Sequence, residues 1–210
     1  MKQEIQCCIT HCEIPLDQDY WNERWQKNET GWDTGMPSPA ITTFMDQYPN
    51  KDAAILIPGC GNAHEVAYLL AHGFSHITLL DIAPQAVELL KEKFSGSPQV
   101  KVLCEDFFTH EGQYDLIIEQ TFFCAIPPFR RKEYVEKAAS LLRENGKIIG
   151  VLFDKEFNQP YPPFGGCACE YKPVFESHFL IRKMEKCYNS IPSRAETELF
   201  IHLDKQKPTP

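Results

Sequence analysis

The order of apolar and helix-forming segments predicts an α/β protein built on a doubly wound parallel sheet. Between residues 53 and 153 short apolar runs without polar alternation, which suit strands covered on both faces, alternate with segments of helical spacing. That alternation implies parallel strands joined by crossover helices. The first run, Ala53-Ala54-Ile55-Leu56-Ile57, passes through Pro58-Gly59-Cys60-Gly61 into a helix-like segment, and Asp81 stands twenty residues past Gly61 at the end of the next run. Strand, glycine turn, helix, strand and acid form the layout of a site for a ribose-bearing cofactor.

The elements follow in order. Asp17 or Asp19 can cap a helix that sets Trp21 and Trp25 on one face at i, i+4 spacing, and a turn-rich loop then carries Trp32. These tryptophans fit either of two roles, anchors that fasten the helix to the core or a lid over the cofactor, and composition favours anchors. Residues 39–48 read as a short helix through Ile41, Phe44 and Met45. After the glycine turn, residues 65–72 place Val66, Leu69 and Leu70 inward and stop at Gly73. A strand at 77–80 leads to Asp81, and Pro84 opens a helix through Phe94. A third strand covers 100–104 and a fourth 114–119; an amphipathic helix over 129–145 ends at Gly146, and a fifth strand covers 147–153. Beyond a Pro- and Gly-rich loop at 158–166, a helix near 174–179 and strands at 183–189 and 196–203 suggest a closing antiparallel hairpin.

At 210 residues the chain is read as one domain over 1–210, with residues 1–16 as a leader and 17–48 as an N-terminal helix and loop. The net charge is −8, from 21 basic and 29 acidic residues, which gives no electrostatic reason to seek nucleic acid or an anionic membrane. No run approaches the ~18 apolar residues of a membrane span, and no signal-peptide core follows Met1, so a soluble cytoplasmic protein acting on a small molecule is expected. The nine cysteines are scattered and read as free thiols of a reducing compartment. Cys7, Cys8 and Cys12 lack a second ligand pair at zinc spacing, and Cys167-x-Cys169 has no accompanying redox motif. No metal is expected.

The glycine turn does not by itself choose a cofactor. Gly59-Cys60-Gly61 lacks the third glycine of a dinucleotide fingerprint, and S-adenosylmethionine, which has no pyrophosphate, tolerates a looser turn. Asp81, with Ile82 beside it, can accept from ribose hydroxyls; Asp106 can accept from an adenine amino group, with Phe107 backbone beside the ring; Glu119 ends the fourth strand where methyl transfer would occur. Three acids at three successive strand ends match a class I, Rossmann-like S-adenosylmethionine-dependent methyltransferase better than a nicotinamide dehydrogenase.

From about Tyr20 to Leu203 the chain resembles the thiopurine methyltransferase-like superfamily, and within it the thiol, thiocyanate and halide methyltransferases. The shared stretches are Tyr20-Trp21 with Trp25, Gly31-Trp32-Asp33-x-Gly35, Pro58-Gly59-Cys60-Gly61, Asp81, Asp106-Phe107, Thr121-Phe122-Phe123-Cys124-Ala125-Ile126 and Pro162-Pro163-Phe164. Tyr161 departs from the glycine that precedes the last of these. The resemblance implies that Trp21, Trp25 and Trp32 close over the methionine end of the cofactor. It implies a cofactor set of those tryptophans with Gly59, Cys60, Gly61, Asp81, Ile82, Asp106, Phe107 and Glu119, and acceptor walls from Trp32, Phe122, Phe123, Tyr161 and Phe164. In the drug-methylating relatives an arginine follows the strand-end acid; here it is Gln120, which argues against an aromatic carboxylate acceptor. The expected reaction is SN2 transfer to a thiol, thiocyanate, sulfide or halide, which needs alignment and dryness rather than a general base. The alternatives are a methyltransferase of the same fold with an oxygen, nitrogen or larger acceptor, and a non-catalytic cofactor-binding module. His64 and His72 are read as surface or packing residues.

Overall fold

The computed structural model describes residues 14–207, and Cys7, Cys8 and Cys12 lie outside them. The chain forms α1 (Gln18–Gln26), α2 (Pro39–Asp46), β1 (Ala54–Pro58), α3 (His64–Ala71), β2 (His76–Asp81), α4 (Pro84–Lys93) and β3 (Val100–Cys104). It continues with β4 (Tyr114–Gln120), α5 (Arg131–Leu141), β5 (Leu142–Phe153), α6 (Ala168–Phe175), β6 (Phe179–Lys186) and β7 (Glu198–Lys205). The strands make one sheet in the order β3-β2-β1-β4-β5-β7-β6. β1 to β5 pair in parallel, and β7 runs antiparallel between β5 and β6.

Apolar runs without alternation are explained by burial of both faces. Ile55, Ile57, Ile77, Leu79, Leu116 and Ile118 pack with Ile41 and Met45 of α2, Val66 and Leu69 of α3 and Leu90 of α4. The intervening Leu56, Leu80, Ile117 and Ile148 pack on the other face with Tyr134, Val135 and Ala138 of α5 and with Tyr171 and Phe175 of α6. In-register pairs such as Ile55↔Ile77 and Ile57↔Leu79 keep each face continuous across the strands.

Three elements differ from their expected bounds. The helix expected over 129–145 ends at Leu141, because Leu142 already pairs with Tyr114 at the start of β5 and its carbonyl accepts from Lys205 Nζ at 2.6 Å. Asn145 rather than Gly146 takes the left-handed conformation in the irregular stretch that follows (φ 62°). The helix expected near 174–179 is α6, which starts at Ala168 despite Pro173 inside it. The proline forfeits one backbone hydrogen bond, while Tyr171 and Phe175 are 2% and 0% exposed. The closing pair is antiparallel as expected, but its strands are Phe179–Lys186 and Glu198–Lys205 rather than 183–189 and 196–203, with residues 187–197 between them.

Strand order reverses between β1 and β4, since β2 and β3 extend one way from β1 and β4 to β7 the other. In an open α/β sheet the crevice beyond the carboxyl ends of such neighbours is where ligands bind.

Candidate active site at the strand switch point

A cavity of about 920 Å³ opens at that switch point, within the size range of small-molecule sites. Its floor begins with the turn after β1. Gly59 has φ +54°, and a Cβ there would lie 2.3 Å from the Phe122 ring, so both backbone conformation and packing require glycine. Gly61 has φ +52°, and the space over it is taken by Trp32, whose indole nitrogen would stand 3.6 Å from an added Cβ. The Gly61 N–H donates to Asp81 Oδ2 at 3.1 Å and the Ala83 N–H to Oδ1 at 2.9 Å. Asp81 therefore ties the glycine turn to the start of α4 while facing the cavity. Burial pushes its carboxyl pKa up, and those two N–H donors pull it back.

Asp106, past β3, accepts from the Phe108 N–H through Oδ1 at 2.9 Å, and this local turn presents residues 105–108 along the cavity edge. The Phe107 side chain is 3% exposed and stacks on Tyr134, with ring centroids 5.3 Å apart, so Phe107 is shared between core and cavity wall. Phe122 lines the cavity, whereas Phe123 is buried among Tyr134, Tyr171 and Phe175.

Glu119 and Cys60 stand elsewhere than expected. Glu119 is 0% exposed and does not line the cavity. Its Oε1 accepts from the Phe123 N–H at 2.8 Å and its Oε2 from the Tyr134 hydroxyl at 2.9 Å. Its carboxyl is turned into the core because both oxygens find donors there, and burial pushes its pKa up to about 7. Cys60 keeps only its backbone near the site: its side chain packs with the α3 face of the core, and burial pushes the thiol well up.

The cover comes from α1 and the Trp32 loop. Asp17 caps α1 by accepting from the Tyr20 N–H at 3.0 Å. The Asn22 side chain accepts from the Gln85 N–H at 2.9 Å, which satisfies a free donor in the first turn of α4 and docks α1 on it. Trp25, 8% exposed, packs on Ala83 and Ala86, while Trp32 meets Trp21 and Trp25 edge-on at 5.5 and 6.0 Å between ring centroids. All three indoles line the cavity, so anchoring and covering are combined in one cluster. The expected leader contributes too, because residues 14–16 also line the cavity.

Sequence reading missed what fastens this cover. Asp33 Oδ2 accepts from Asn62 Nδ2 at 2.5 Å; Oδ1 accepts from the Gly35 N–H at 2.8 Å and lies 2.6 Å from His64 Nε2. Those partners hold the Asp33 carboxyl below its ordinary pKa in spite of burial. On the other side Arg194 Nη2 donates to the Trp32 carbonyl at 2.9 Å, and Nη1 lies 3.4 Å from buried Glu198. The Asp33–His64 pairing spans 31 residues and Arg194–Trp32 spans 162, so local pattern carried no signal for either.

The far wall is formed by Phe153 and Lys155 at the end of β5, Phe157, Pro162, Pro163 and Arg194. Arg194 lies over the Phe153 ring at 5.2 Å. Tyr161 is 46% exposed outside the lining, and Phe164 is buried behind it, its N–H donating to the Cys124 carbonyl at 2.7 Å. The two prolines between them are the residues of that loop that reach the cavity. Cys167 and Cys169, expected to be free thiols, are joined by a disulfide, while Cys60, Cys104, Cys124 and Cys187 are unpaired. Among the described residues no helix is long and apolar enough to cross a membrane.

Comparison with known proteins places this geometry in a family. A probable thiol methyltransferase 2 of Arabidopsis thaliana is 35% identical over 159 residues, covering 73% of this chain and 70% of the relative. A thiocyanate methyltransferase 1 of Brassica oleracea is 29% identical, covering 76% and 72%. A thiopurine S-methyltransferase of Acinetobacter baylyi is 25% identical, covering 81% and 89%. The 1,6-didemethyltoxoflavin-N1-methyltransferase of Burkholderia thailandensis, solved with S-adenosylhomocysteine, shares the fold at a TM-score of 0.74 and 16% identity, covering 96% of this chain and 92% of that one. The magnesium protoporphyrin IX methyltransferase of Synechocystis, solved with S-adenosylmethionine, does so at 0.70 and 14%, covering 94% and 100%. The family model for thiopurine S-methyltransferase matches residues 16–204, so this chain is a methyltransferase that belongs to the thiopurine S-methyltransferase family.

Proposed function

We propose that this chain moves the methyl group of S-adenosylmethionine by SN2 displacement to a small soft nucleophile: a thiol, thiocyanate, sulfide or halide. The observation that carries the reading is the division of one cavity. Asp81, Glu105 and Asp106 line the half over β2 and β3, together with Arg130 over the Phe108 ring, while the half over β5 and β7 is lined by the cations Lys155 and Arg194. The donor set fits the cofactor. Asp81 would take the ribose hydroxyls, with Ile82 beside it, Asp106 and the Phe107 backbone would take the adenine edge, and Gly59 and Gly61 would let the backbone approach the amino-acid end. Trp21, Trp25 and Trp32 would cover its sulfonium, where indole faces favour a cation and keep water out.

Bound there, the cofactor supplies an activated methyl carbon. The protein's share is to hold the acceptor in line and desolvated. No histidine lines the cavity among the described residues, which suits an acceptor that arrives as an anion or ionises easily. Arg194 would draw such an anion toward the Phe153 side, with Phe122 and Trp32 as walls; Tyr161 and Phe164 would act only through the loop that places Pro162 and Pro163. The relatives named as thiol and thiocyanate methyltransferases support this acceptor class. The four cysteines unpaired among the described residues support a reducing, cytoplasmic setting, to which the Cys167–Cys169 disulfide is an exception.

Two measurements test the reading. Equilibrium binding of S-adenosylhomocysteine should be readily measured, and no binding at millimolar concentration overturns it. With labelled cofactor, small thiols, thiocyanate and iodide should be methylated well ahead of amines and phenols, and the reverse order overturns the acceptor class.

A further inference from the structure

The Cys167–Cys169 disulfide closes a ring with one residue between its ends. Cross-linking so short a loop removes almost none of the unfolded chain's freedom, so the bond is a poor staple. The loop is fastened without it. Arg131 Nη2 donates to the Gly165 carbonyl at 2.8 Å, the Gly166 N–H donates to the Lys155 carbonyl at 3.0 Å, and the Tyr171 hydroxyl donates to the Phe153 carbonyl at 2.9 Å. A disulfide that the fold does not need, with Cys169 exposed and Cys167 half-buried, is open to attack by thiols.

The surroundings suit exchange. Cys167 occupies the N-cap of the eight-residue α6, its carbonyl accepting from the Glu170 and Tyr171 N–H groups at 3.1 Å each, and a leaving thiolate there meets the positive end of the helix. A Glu170 carboxylate oxygen lies within 4.8 Å of both sulfurs. Burial holds that carboxyl above its ordinary pKa.

We propose that Cys167 and Cys169 form a thiol-exchange site, which passes between disulfide and dithiol by reaction with small thiols. A thiolate attacks the exposed Cys169 sulfur; a mixed disulfide forms, the Cys167–Cys169 bond breaks and Cys167 leaves with the electron pair and takes a proton. A second thiolate attacks the thiol-derived sulfur of the mixed disulfide, releases the small disulfide and leaves Cys169 as a thiolate. Two thiols are oxidised and one protein disulfide is reduced. The site lies four residues past Pro163, which lines the cavity, and the proposal does not require methyl transfer.

The test uses the full-length protein equilibrated in glutathione buffers of graded reduced-to-oxidised ratio, blocked with iodoacetamide and mapped by peptide mass spectrometry. The peptide with Cys167 and Cys169 should pass from unalkylated to doubly alkylated with two-electron steepness, while far-UV circular dichroism is unchanged. In Cys167→Ser treated with oxidised glutathione, Cys169 should carry roughly tenfold more adduct than Cys104, an exposed thiol whose pKa burial raises. Full alkylation in every buffer, or none until the protein unfolds, overturns the proposal, and so does an adduct confined to Cys104. If Cys167→Ser does not fold, the wild-type titration decides alone.

Discussion

The two halves of the cavity are built from opposite materials. Over β2 and β3 the wall carries carboxylates held by backbone, Asp81 by the Gly61 and Ala83 N–H groups and Asp106 by that of Phe108, with Arg130 over the Phe108 ring as the cation beside them. Over β5 and β7 the wall is aromatic and cationic, with Arg194 above the Phe153 ring and Lys155 toward that of Phe157. The acidic half is set by strand ends and tight turns, so it is rigid and legible from short motifs. The cationic half is set by a residue that arrives through the loop before β7 and reaches across to the Trp32 carbonyl. In the proposed reaction a positively charged donor would sit toward the carboxylates and a negatively charged acceptor toward Lys155 and Arg194, with methyl transfer between them.

Substitutions can break that division, the largest effect coming first. Asp81→Ala removes an acceptor of two backbone bonds as well as the proposed ribose contact, and should weaken S-adenosylhomocysteine binding by about 100-fold, or ~3 kcal/mol, in calorimetry. Unchanged affinity would show that the acidic half is not where the ribose sits. Glu119 is buried outside the cavity lining. Its folded pKa is raised to about 7 from 4.5, so the folded state holds a proton that the unfolded state has released; its stabilising effect is full below about pH 4.5 and is lost as pH rises through about 7. Wild type should therefore lose about 3 kcal/mol from this group between pH ~4.5 and ~8.5, and Glu119→Gln should lack that component in urea unfolding at the two pH values. Identical pH slopes would mean that Glu119 is not the titrating group.

Arg194→Met should lower kcat/KM for an anionic acceptor by roughly 20-fold, or ~1.8 kcal/mol, and S-adenosylhomocysteine affinity by only about 3-fold through the Trp32 carbonyl. Equal losses in both would erase the distinction between halves. Lys155 is exposed, and Lys155→Met should cost about 3-fold in kcat/KM for thiocyanate, shrinking as ionic strength rises past about 0.2 M.

What the sequence revealed follows the same division. The strand runs, the turn at Gly59 and Gly61 and the strand-end acids Asp81 and Asp106 could be placed from short motifs and their spacing, although Asp81 ties to Gly61 twenty residues before it and Gly59 packs against Phe122. Glu119 was read as a site acid because a strand-end carboxylate usually faces the crevice; Tyr134, fifteen residues on, supplied the donor that turned it inward. Phe123 and Phe164 belong to the core, and an aromatic segment cannot show which of its rings faces the cavity. Arg194 and the Asp33–His64–Asn62 cluster were silent in the sequence because their partners lie 29 to 162 residues away. The early end of α5 was hidden for a related reason, since pairing with Tyr114 rather than local helix propensity decides where β5 begins.

The fastening of the cover has a kinetic consequence. Asp33 and Arg194 latch the Trp32 loop on opposite sides, which makes it a door with two bolts. An adenosine-bearing product beneath it should leave only after a bolt is drawn, with opening rather than displacement expected to set the pace of repeated turnover. A rapid-mixing experiment should show a first round of methylated product faster than the steady state. Asp33→Asn, which weakens the bolt to His64, should raise the steady rate about 3-fold, the effect of ~0.7 kcal/mol on an opening step, while the first round is unchanged.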